Sequence, residues 1–249
     1  MMNNFITGLQ FLTRIHIAKQ TEWSPESFGR SVKYFPLIGA ILGIILVLIN
    51  QLLTEYLPYI GIFIPPHVFA IVLIISNVLL TGGLTCDGFM DTMDGIFSGR
   101  SKDRMLEIMK DSRIGANGVM AFILLVILKW SLIMDIPPQG IPTALFIMPL
   151  LSRFAMVIAI TVFPYARPDG IGKAFAQYAD KYTLCIASIL TLLFVIPLGK
   201  QAIVSLITMS IVTLLFSGYV KKLIGGLTGD IYGAVTELSE IAVLLVFLY

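Results

Sequence analysis

Three regularly spaced aspartates are the residues of this sequence best suited to chemistry. Asp87, Asp91 and Asp94 stand at positions i, i+4 and i+7 of the stretch from Gly82 to Gly95. On a helix, this spacing places the three carboxylates on one side within about two turns. Because like charges held this close repel each other, the arrangement predicts a bound cation, and a hard ion such as Mg²⁺ fits three carboxylates.

A magnesium ion held by these aspartates would need further ligands. Mg²⁺ usually keeps several waters and takes phosphate oxygens from its substrate, so the sequence predicts a diphosphate substrate. The nearby Gly82, Gly83, Gly88 and Gly95 would let the backbone approach phosphates or let the helix break near lipid headgroups. The alternative is a solvated acidic loop with ordinary glycines at helix ends, which leaves the electrostatic cost of three neighbouring acids unexplained.

Basic residues follow the aspartates without a long linker. Arg104 and Arg113 could each bind two phosphate oxygens in a planar fork, which a lysine ammonium cannot do. Asp111 and Arg113 precede Gly115 and Gly118. We expect this segment to contact the substrate.

Charged residues also occur near and within later apolar runs. Arg153 falls inside one such run, where an isolated charge is costly, so we expect it to pair with an acid. Residues 225–230 repeat the Gly-Gly-x-Thr-x-Asp order of residues 82–87. Asp230 and Glu237 could supply a second phosphate or metal contact, because their i, i+7 spacing places them on one helical face.

The composition indicates a membrane protein. Of the 249 residues, 57% are hydrophobic and 13% are charged, far from the balance of soluble domains. The net charge of +2 and the absence of a dense basic stripe argue against a nucleic-acid partner. Cys86 and Cys185 form no metal-binding or redox pair, and we expect free thiols.

Seven apolar runs are long enough to cross a bilayer, which takes about 20 residues. Phe5 to Ile17 has one apolar face, so we expect it to lie on the membrane. The sequence therefore predicts an all-α, polytopic membrane bundle forming a single domain over residues 1–249, with an N-terminal interfacial segment at 1–33 and a catalytic loop at 86–116. The predicted spans are 34–53, 66–85, 117–134, 141–162, 182–198, 202–220 and 230–248.

The distribution of Lys and Arg predicts the orientation. When alternate loops are assigned to alternate sides, the basic residues gather on one side, the pattern typical of cytoplasmic loops. Only Lys200 falls in an outer loop, while Lys129 and Arg153 fall within predicted spans. We expect a cytoplasmic N-terminus, an outer C-terminus and an active site on the cytoplasmic face of the inner membrane. The inner segments carry Arg14, Lys19, Arg30, Lys33, Arg100, Lys102, Arg104, Lys110, Arg113, Arg167, Lys173, Lys181, Lys221 and Lys222.

Several longer motifs, taken in order, resemble the cobalamin synthases, also called adenosylcobinamide-GDP ribazoletransferases. The resemblance covers nearly the whole chain. It is carried by residues 11–14, 35–39, 87–95, 104–115, 152–153 and 225–230, together with Glu237.

This resemblance implies a late step of vitamin B12 biosynthesis. In that step a transferase joins α-ribazole or its 5′-phosphate to adenosylcobinamide-GDP and releases GMP, with Mg²⁺ as cofactor. Small residues on several spans would also permit a homo-oligomer. The implied metal ligands are Asp87, Asp91, Asp94, Asp230 and Glu237; the implied proton acceptor is Asp91 or Asp94; the implied substrate contacts are Arg104, Asp111, Arg113, Arg153, Thr228 and Asp230.

Two other classes of protein share some of these features. A CDP-alcohol phosphotransferase also begins its signature with Asp-Gly, but it expects an Ala-Arg pair and a further Gly-x-x-x-Asp-x-x-x-Asp that residues 87–94 do not provide. A transporter could use the charges of Lys129 and Arg153 to line a path. The acids cluster at one surface, however, and no charged route crosses the predicted bilayer.

Overall fold

The computed structural model describes residues 2–18 and 23–249. The described part is helical, with one isolated bridge between Tyr165 and Leu227, which confirms the all-α prediction. Residue 1 and residues 19–22 of the predicted interfacial segment, Lys19 included, lie outside the described residues. The helices are α1 (Met2–Leu12), α2 (Pro25–Ser31), α3 (Phe35–Gln51), α4 (Leu57–Tyr59), α5 (Pro66–Thr81), α6 (Leu84–Phe97), α7 (Lys102–Ile108), α8 (Ala116–Asp135), α9 (Ile141–Val162), α10 (Ile171–Tyr178), α11 (Thr183–Val195), α12 (Lys200–Ile224) and α13 (Gly229–Val246).

The predicted spans correspond to helices of three kinds. Among the described residues, four helical stretches are long and apolar enough to cross a membrane: Pro25–Tyr59, α8, α9 and α12. The pairs α5–α6 and α10–α11 each bend by 93° and raise the number to six when each pair is taken as one span. The seventh predicted span is α13, an 18-residue helix that carries three acids and packs against α6, α9 and α12.

Helix α9 forms the centre of the bundle. Its span is 83% buried, and it packs against α3, α11, α12 and α13. Gly39 of α3 lies so close that a Cβ there would stand 2.3 Å from the carbonyl oxygen of Pro149. A small residue at this contact allows the two backbones to approach, as is common between membrane helices.

A pair of glycines separates α5 from α6. Gly82 and Gly83 have φ angles of 64° and 73°, a left-handed conformation that glycine adopts without steric cost. The chain turns by 93° at this point. Helix α6 therefore does not continue the line of α5, and its aspartates belong to the segment predicted to form the cytoplasmic loop.

The segments predicted to share one side of the membrane meet at this end of the bundle. Successive contacts link the end of α5, the amino-terminal segment, the 163–181 loop and the turn before α13 there. This agrees with the alternation inferred from the basic residues. The contacts are the Arg14 N–Leu80 O hydrogen bond of 2.7 Å, the Lys33–Asp180 ion pair of 3.4 Å and the Tyr165–Leu227 bridge.

Candidate active site

Close packing of α6 on α13 brings two of the predicted site residues together. A Cβ on Gly88 would lie 2.7 Å from the carbonyl oxygen of Asp230, and a Cβ on Gly233 would lie 3.0 Å from that of Thr85. Only glycine permits this approach without a shift of backbone. As a result Asp87, which begins the aspartate series, and Asp230 border the same cavity.

The carboxylates on α6 act on one another electrostatically. Burial raises the pKa of Asp91 to about 7, and the neighbouring carboxylates of Asp87, Asp230 and Asp94 add to the rise. The carboxylates of Asp87, Asp94 and Asp230 are therefore near enough to Asp91 to act on its charge, and the one-sided stripe stays a prediction. Within the described residues, no three acidic, histidine or cysteine side chains form a ready-made metal cluster.

Asp94 has a different environment from the other two aspartates. Its side chain is buried, and its oxygens accept hydrogen bonds from the backbone N–H groups of Gly115 at 2.7 Å and Gly118 at 2.8 Å. A Cβ on either glycine would come within 2.5 Å of this carboxylate. Asp94 thus anchors the first turn of α8 to α6, a role that differs from the predicted metal ligand or base.

Glu237 was predicted as a metal ligand. It is 2% exposed and lies inside the bundle, where it accepts a hydrogen bond of 2.6 Å from Thr85. Lys129 of α8 pairs with it at 2.5 Å. The carboxylate is already paired with a buried lysine, and its role as a metal ligand stays a prediction.

Arg153 pairs with an acid, as expected. It is fully buried and donates to Glu240 at 2.8 Å, while Glu240 also pairs with Lys129 at 2.6 Å. Its contact with a substrate phosphate stays a prediction. Glu237, Glu240, Lys129 and Arg153 form a charge-balanced network in the bundle interior.

Thr228 has a structural position. It is fully buried and caps α13 by accepting a hydrogen bond from the N–H of Ile231. Its hydroxyl donates to Asp230 at 3.2 Å. Thr228 therefore holds Asp230 in place, and its contact with substrate stays a prediction.

The predicted phosphate clamps lie at the exposed rim. Arg104 pairs with Glu107 at 2.7 Å, and Arg113 pairs with Asp111 at 2.8 Å. Hydrogen bonds from Arg113 lower the pKa of Asp111 to about 2. None of these residues lines the two cavities that Asp87 borders, so their substrate contacts stay predictions.

Two cavities flank the first turn of α6. One, of about 240 Å³, lies between α6, α10 and α13 and includes Asp230 in its lining. The other, of about 540 Å³, lies between the end of α1, the α5–α6 turn and α8. Phe11, Leu84 and Asp87 line both. A ligand in either cavity can therefore reach Asp87.

Arg167 lines the candidate site. From the sequence it was counted only among the basic residues that indicate the orientation in the membrane. Its Nη2 lies 2.7 Å from Asp230 Oδ2, and it lines the smaller cavity. The backbone places it there, because Ala166 N donates to Leu227 O at 2.8 Å just before α13 begins. Its neighbours Gly170 and Gly172 line the same cavity. In the sequence, the glycine-rich turn that follows Arg167 was the signal that could have indicated this part of the site.

The fold and this site define a helical membrane protein whose carboxylates gather at one end of the bundle beside two cavities. The chain matches the family model "CobS: Cobalamin-5-phosphate synthase" over residues 4–248. It belongs to the cobalamin-5-phosphate synthase family, and the resemblance seen in the motifs is confirmed. The family match separates it from the CDP-alcohol phosphotransferases and transporters considered above.

Curated relatives cover nearly the whole chain. A protein named adenosylcobinamide-GDP ribazoletransferase from Fusobacterium nucleatum subsp. nucleatum is 37% identical, covering 99% of this chain and 97% of the relative. A protein of the same name from Desulfitobacterium hafniense (strain Y51) is 40% identical, with 98% and 96% covered. No solved structure matches the chain.

Proposed function

We propose that the protein is an adenosylcobinamide-GDP ribazoletransferase that acts at a late step of vitamin B12 biosynthesis. It transfers the cobinamide phosphoryl group from adenosylcobinamide-GDP to α-ribazole or its 5′-phosphate and releases GMP. The names of the relatives support the substrates. The observation that carries the proposal is the position of Asp87, which borders two separate cavities, as a transfer between two bound molecules requires.

Asp87, at this position, and the neighbouring Asp91, which lines neither cavity, fit a magnesium ion. Asp87 is exposed and Asp91 is half-buried, and within the described residues their carboxylates make no ion pair. Mg²⁺ is commonly held by one or two carboxylates together with waters and substrate phosphates, so a ready-made cluster of three acids is not needed. A bound ion would neutralise charge on the diphosphate and on the departing GMP. We propose Asp87 and Asp91 as its ligands, with Asp230 beside them.

The transfer step requires one base, which accepts the proton of the attacking hydroxyl. A bond forms between the ribazole hydroxyl oxygen and the phosphorus next to cobinamide, the phosphoanhydride bond breaks, and GMP leaves with the bonding electrons. The hydroxyl proton needs an acceptor. Asp91 suits this role better than Asp94, since both Asp94 oxygens already accept backbone hydrogen bonds.

Arg167 would orient a phosphate beside these carboxylates. Its Nε has no hydrogen-bond partner in the described part of the protein, although Nη2 pairs with Asp230. A guanidinium presents several donors in one plane and can bind a carboxylate and a phosphate together. This arrangement would place a substrate phosphate next to Asp230.

The site would face the cytoplasm from the inner membrane. The basic residues of the inner segments support this orientation, and those segments meet at the end of the bundle that carries α6. Soluble cytoplasmic substrates would then reach both cavities directly.

The test is a transfer assay with the purified full chain in detergent or liposomes. Adenosylcobinamide-GDP, α-ribazole phosphate and Mg²⁺ should yield equimolar GMP and a cobalamin product, and EDTA should stop the reaction until Mg²⁺ is restored. GMP formation in the absence of any ribazole acceptor would indicate a hydrolase. No GMP with both substrates and metal present would refute the transferase.

A further inference from the structure

The smaller of the two cavities has the chemistry of a site for an aromatic nucleoside. Eight of its seventeen lining residues carry aromatic or aliphatic side chains. Phe175 packs edge-to-face on Phe11, with ring centroids 5.3 Å apart, and Tyr165 and Tyr232 are separated by 6.4 Å. Walls of this kind favour the binding of flat apolar rings, because burial of the ring surface and contacts with aromatic side chains both stabilise the bound ring. The wall residues of this type are Phe11, Leu12, Leu84, Met156, Tyr165, Ile171, Phe175 and Tyr232.

The charged residues that line this cavity lie close together. Among the described lining residues, the charged ones are Asp87, Arg167 and Asp230. Arg167 pairs with Asp230, and the charge of Asp87 acts on Asp230, so the three lie together. A ligand that matches this cavity has an apolar aromatic part and, at a separate position, a hydroxyl or phosphate.

We propose that this cavity is the acceptor site and holds the benzimidazole nucleoside, while the larger cavity holds the nucleotide-linked donor. The inference rests on the proposed transferase function and adds to it the location of each substrate. The two sites meet at Asp87, where the acceptor hydroxyl and the donor phosphorus must come within reacting distance.

The alternative occupant, the guanine of the donor, fits the smaller cavity less well. Guanine has hydrogen-bonding groups around most of its edge, and burying them against apolar walls without partners is costly. Thr85 lines the cavity, but its hydroxyl already donates to Glu237, and the unpartnered Tyr232 hydroxyl and Arg167 Nε are fewer than the groups that guanine presents. The carbon edge of a benzimidazole needs no such partners, so apolar walls discriminate in its favour.

The larger cavity suits the nucleotide diphosphate part of the donor in size and polarity. Its volume of about 540 Å³ exceeds the 240 Å³ of the smaller one. Gln10, Arg14 and His16 line it, which supplies hydrogen-bonding and cationic groups for a nucleotide diphosphate. A donor of this size needs an open site, whereas the nucleoside does not.

A substitution at the glycine that begins α13 can fill part of the smaller cavity with a side chain of the protein itself. Gly229 lines this cavity, and a Cβ there would meet nothing within 4 Å. Gly229→Leu should therefore occupy cavity space without displacing backbone. Gly218→Leu on α12 is the matched control, because a Cβ at Gly218 also meets nothing within 4 Å and the residue lies outside both cavities.

The measurement is equilibrium dialysis of α-ribazole against the detergent-held full chain without donor, followed by steady-state kinetics. We expect Gly229→Leu to weaken α-ribazole binding by about tenfold or more and to change the KM for adenosylcobinamide-GDP by less than about twofold. Gly218→Leu should leave both constants unchanged. Ile171→Trp, at an exposed lining residue, gives an independent variant if Gly229→Leu does not fold.

Unchanged nucleoside binding in Gly229→Leu and Ile171→Trp would overturn the assignment, as would a selective rise in the KM for the donor. A failure of the transferase function has a different signature. In that case the wild-type protein releases no GMP with both substrates present, whereas a misassigned cavity leaves wild-type turnover intact.

Discussion

Asp91 and Asp94 are three residues apart on the same helix, yet the structure gives them different surroundings. Asp91 is half-buried and makes no hydrogen bond through its carboxylate in the described part of the chain. Asp94 is buried and accepts two backbone hydrogen bonds. Because a base and a metal ligand both need available oxygens, we expect Asp91 to act in catalysis and Asp94 to stabilise the fold.

Asp91→Asn should abolish turnover while leaving the folded protein intact, since an amide neither accepts the proton nor supplies a charged metal ligand. GMP release gives the activity, and thermal unfolding in detergent gives the stability. Asp103→Asn, at an exposed position on α7, is the control and should behave as wild type. Near-normal turnover of Asp91→Asn would remove Asp91 from the mechanism.

Asp94→Asn should instead lower stability. The amide NH₂ would face a backbone N–H of Gly115 or Gly118, leaving a buried donor unsatisfied at a cost of about 1–3 kcal/mol. Denaturant unfolding of the detergent-held protein measures this change, with Asp103→Asn as the reference. Wild-type stability with lost activity would show that Asp94 acts in chemistry and not as an anchor.

At the scale of elements, α6 is held at both ends. Thr85 in its first turn donates to Glu237 of α13, and Asp94 near its other end binds the start of α8. Gly88 sets its distance from α13 between these points. The 93° bend at Gly82 and Gly83 makes these clamps necessary, because α6 cannot rely on continuing the α5 helix for its orientation.

Gly88→Ala should reduce activity, since the added Cβ meets the backbone oxygen of Asp230 at 2.7 Å and must push α6 away from α13. We expect a loss of stability of about 1–3 kcal/mol from this overpacking and a lower kcat. Gly218→Ala on α12, where a Cβ meets nothing within 4 Å, should be neutral or slightly stabilising. Equal behaviour of the two variants would show that the glycine contact does not position α6.

Lys129→Met should destabilise the bundle by about 3–5 kcal/mol, because it leaves the buried Glu237 and Glu240 with too little positive charge. Lys129→Met combined with Glu237→Gln should recover part of the loss by restoring the charge balance. Arg104→Met, which breaks an exposed pair, should cost less than about 1 kcal/mol. Additive effects of Lys129→Met and Glu237→Gln in unfolding experiments would contradict a coupled network.

For the whole molecule, the bundle gathers its polar segments at one end and leaves short connections at the other. Parts of the protein far apart in sequence, such as Arg14 with Leu80 and Lys33 with Asp180, meet at that end. This arrangement lets a membrane protein present a site to soluble substrates while α9 and its neighbours stay in lipid. The active end should therefore be reachable from the cytoplasm.

Thiol labelling tests this orientation in a Cys185→Ala background, in which the remaining Cys86 is buried. Ser101→Cys, before α7, should react with a membrane-impermeant maleimide in inside-out vesicles and not in intact spheroplasts. Gln139→Cys, between α8 and α9, should show the opposite pattern. Both positions are exposed. Labelling of both positions from the same side would contradict the topology.

The sequence by itself determined the features that depend on local spacing and composition. Apolar runs predicted the membrane helices, the i, i+4, i+7 spacing predicted the carboxylate stripe, and ordered motifs predicted the family. These signals are readable because helical periodicity and hydrophobicity act over a few turns. The glycine pair at 82–83 likewise indicated a break in the helix.

Only the tertiary structure decided which charged side chains pair with one another inside the bundle and which remain available to a substrate. Glu237 and Arg153 looked like site residues, but their partners Lys129 and Glu240 lie on other helices, 108 and 87 positions away. Arg167 joins the site only because its loop pairs with Leu227. The strength of a charge pair depends on distance and burial, and helix packing sets both of these across long sequence separations.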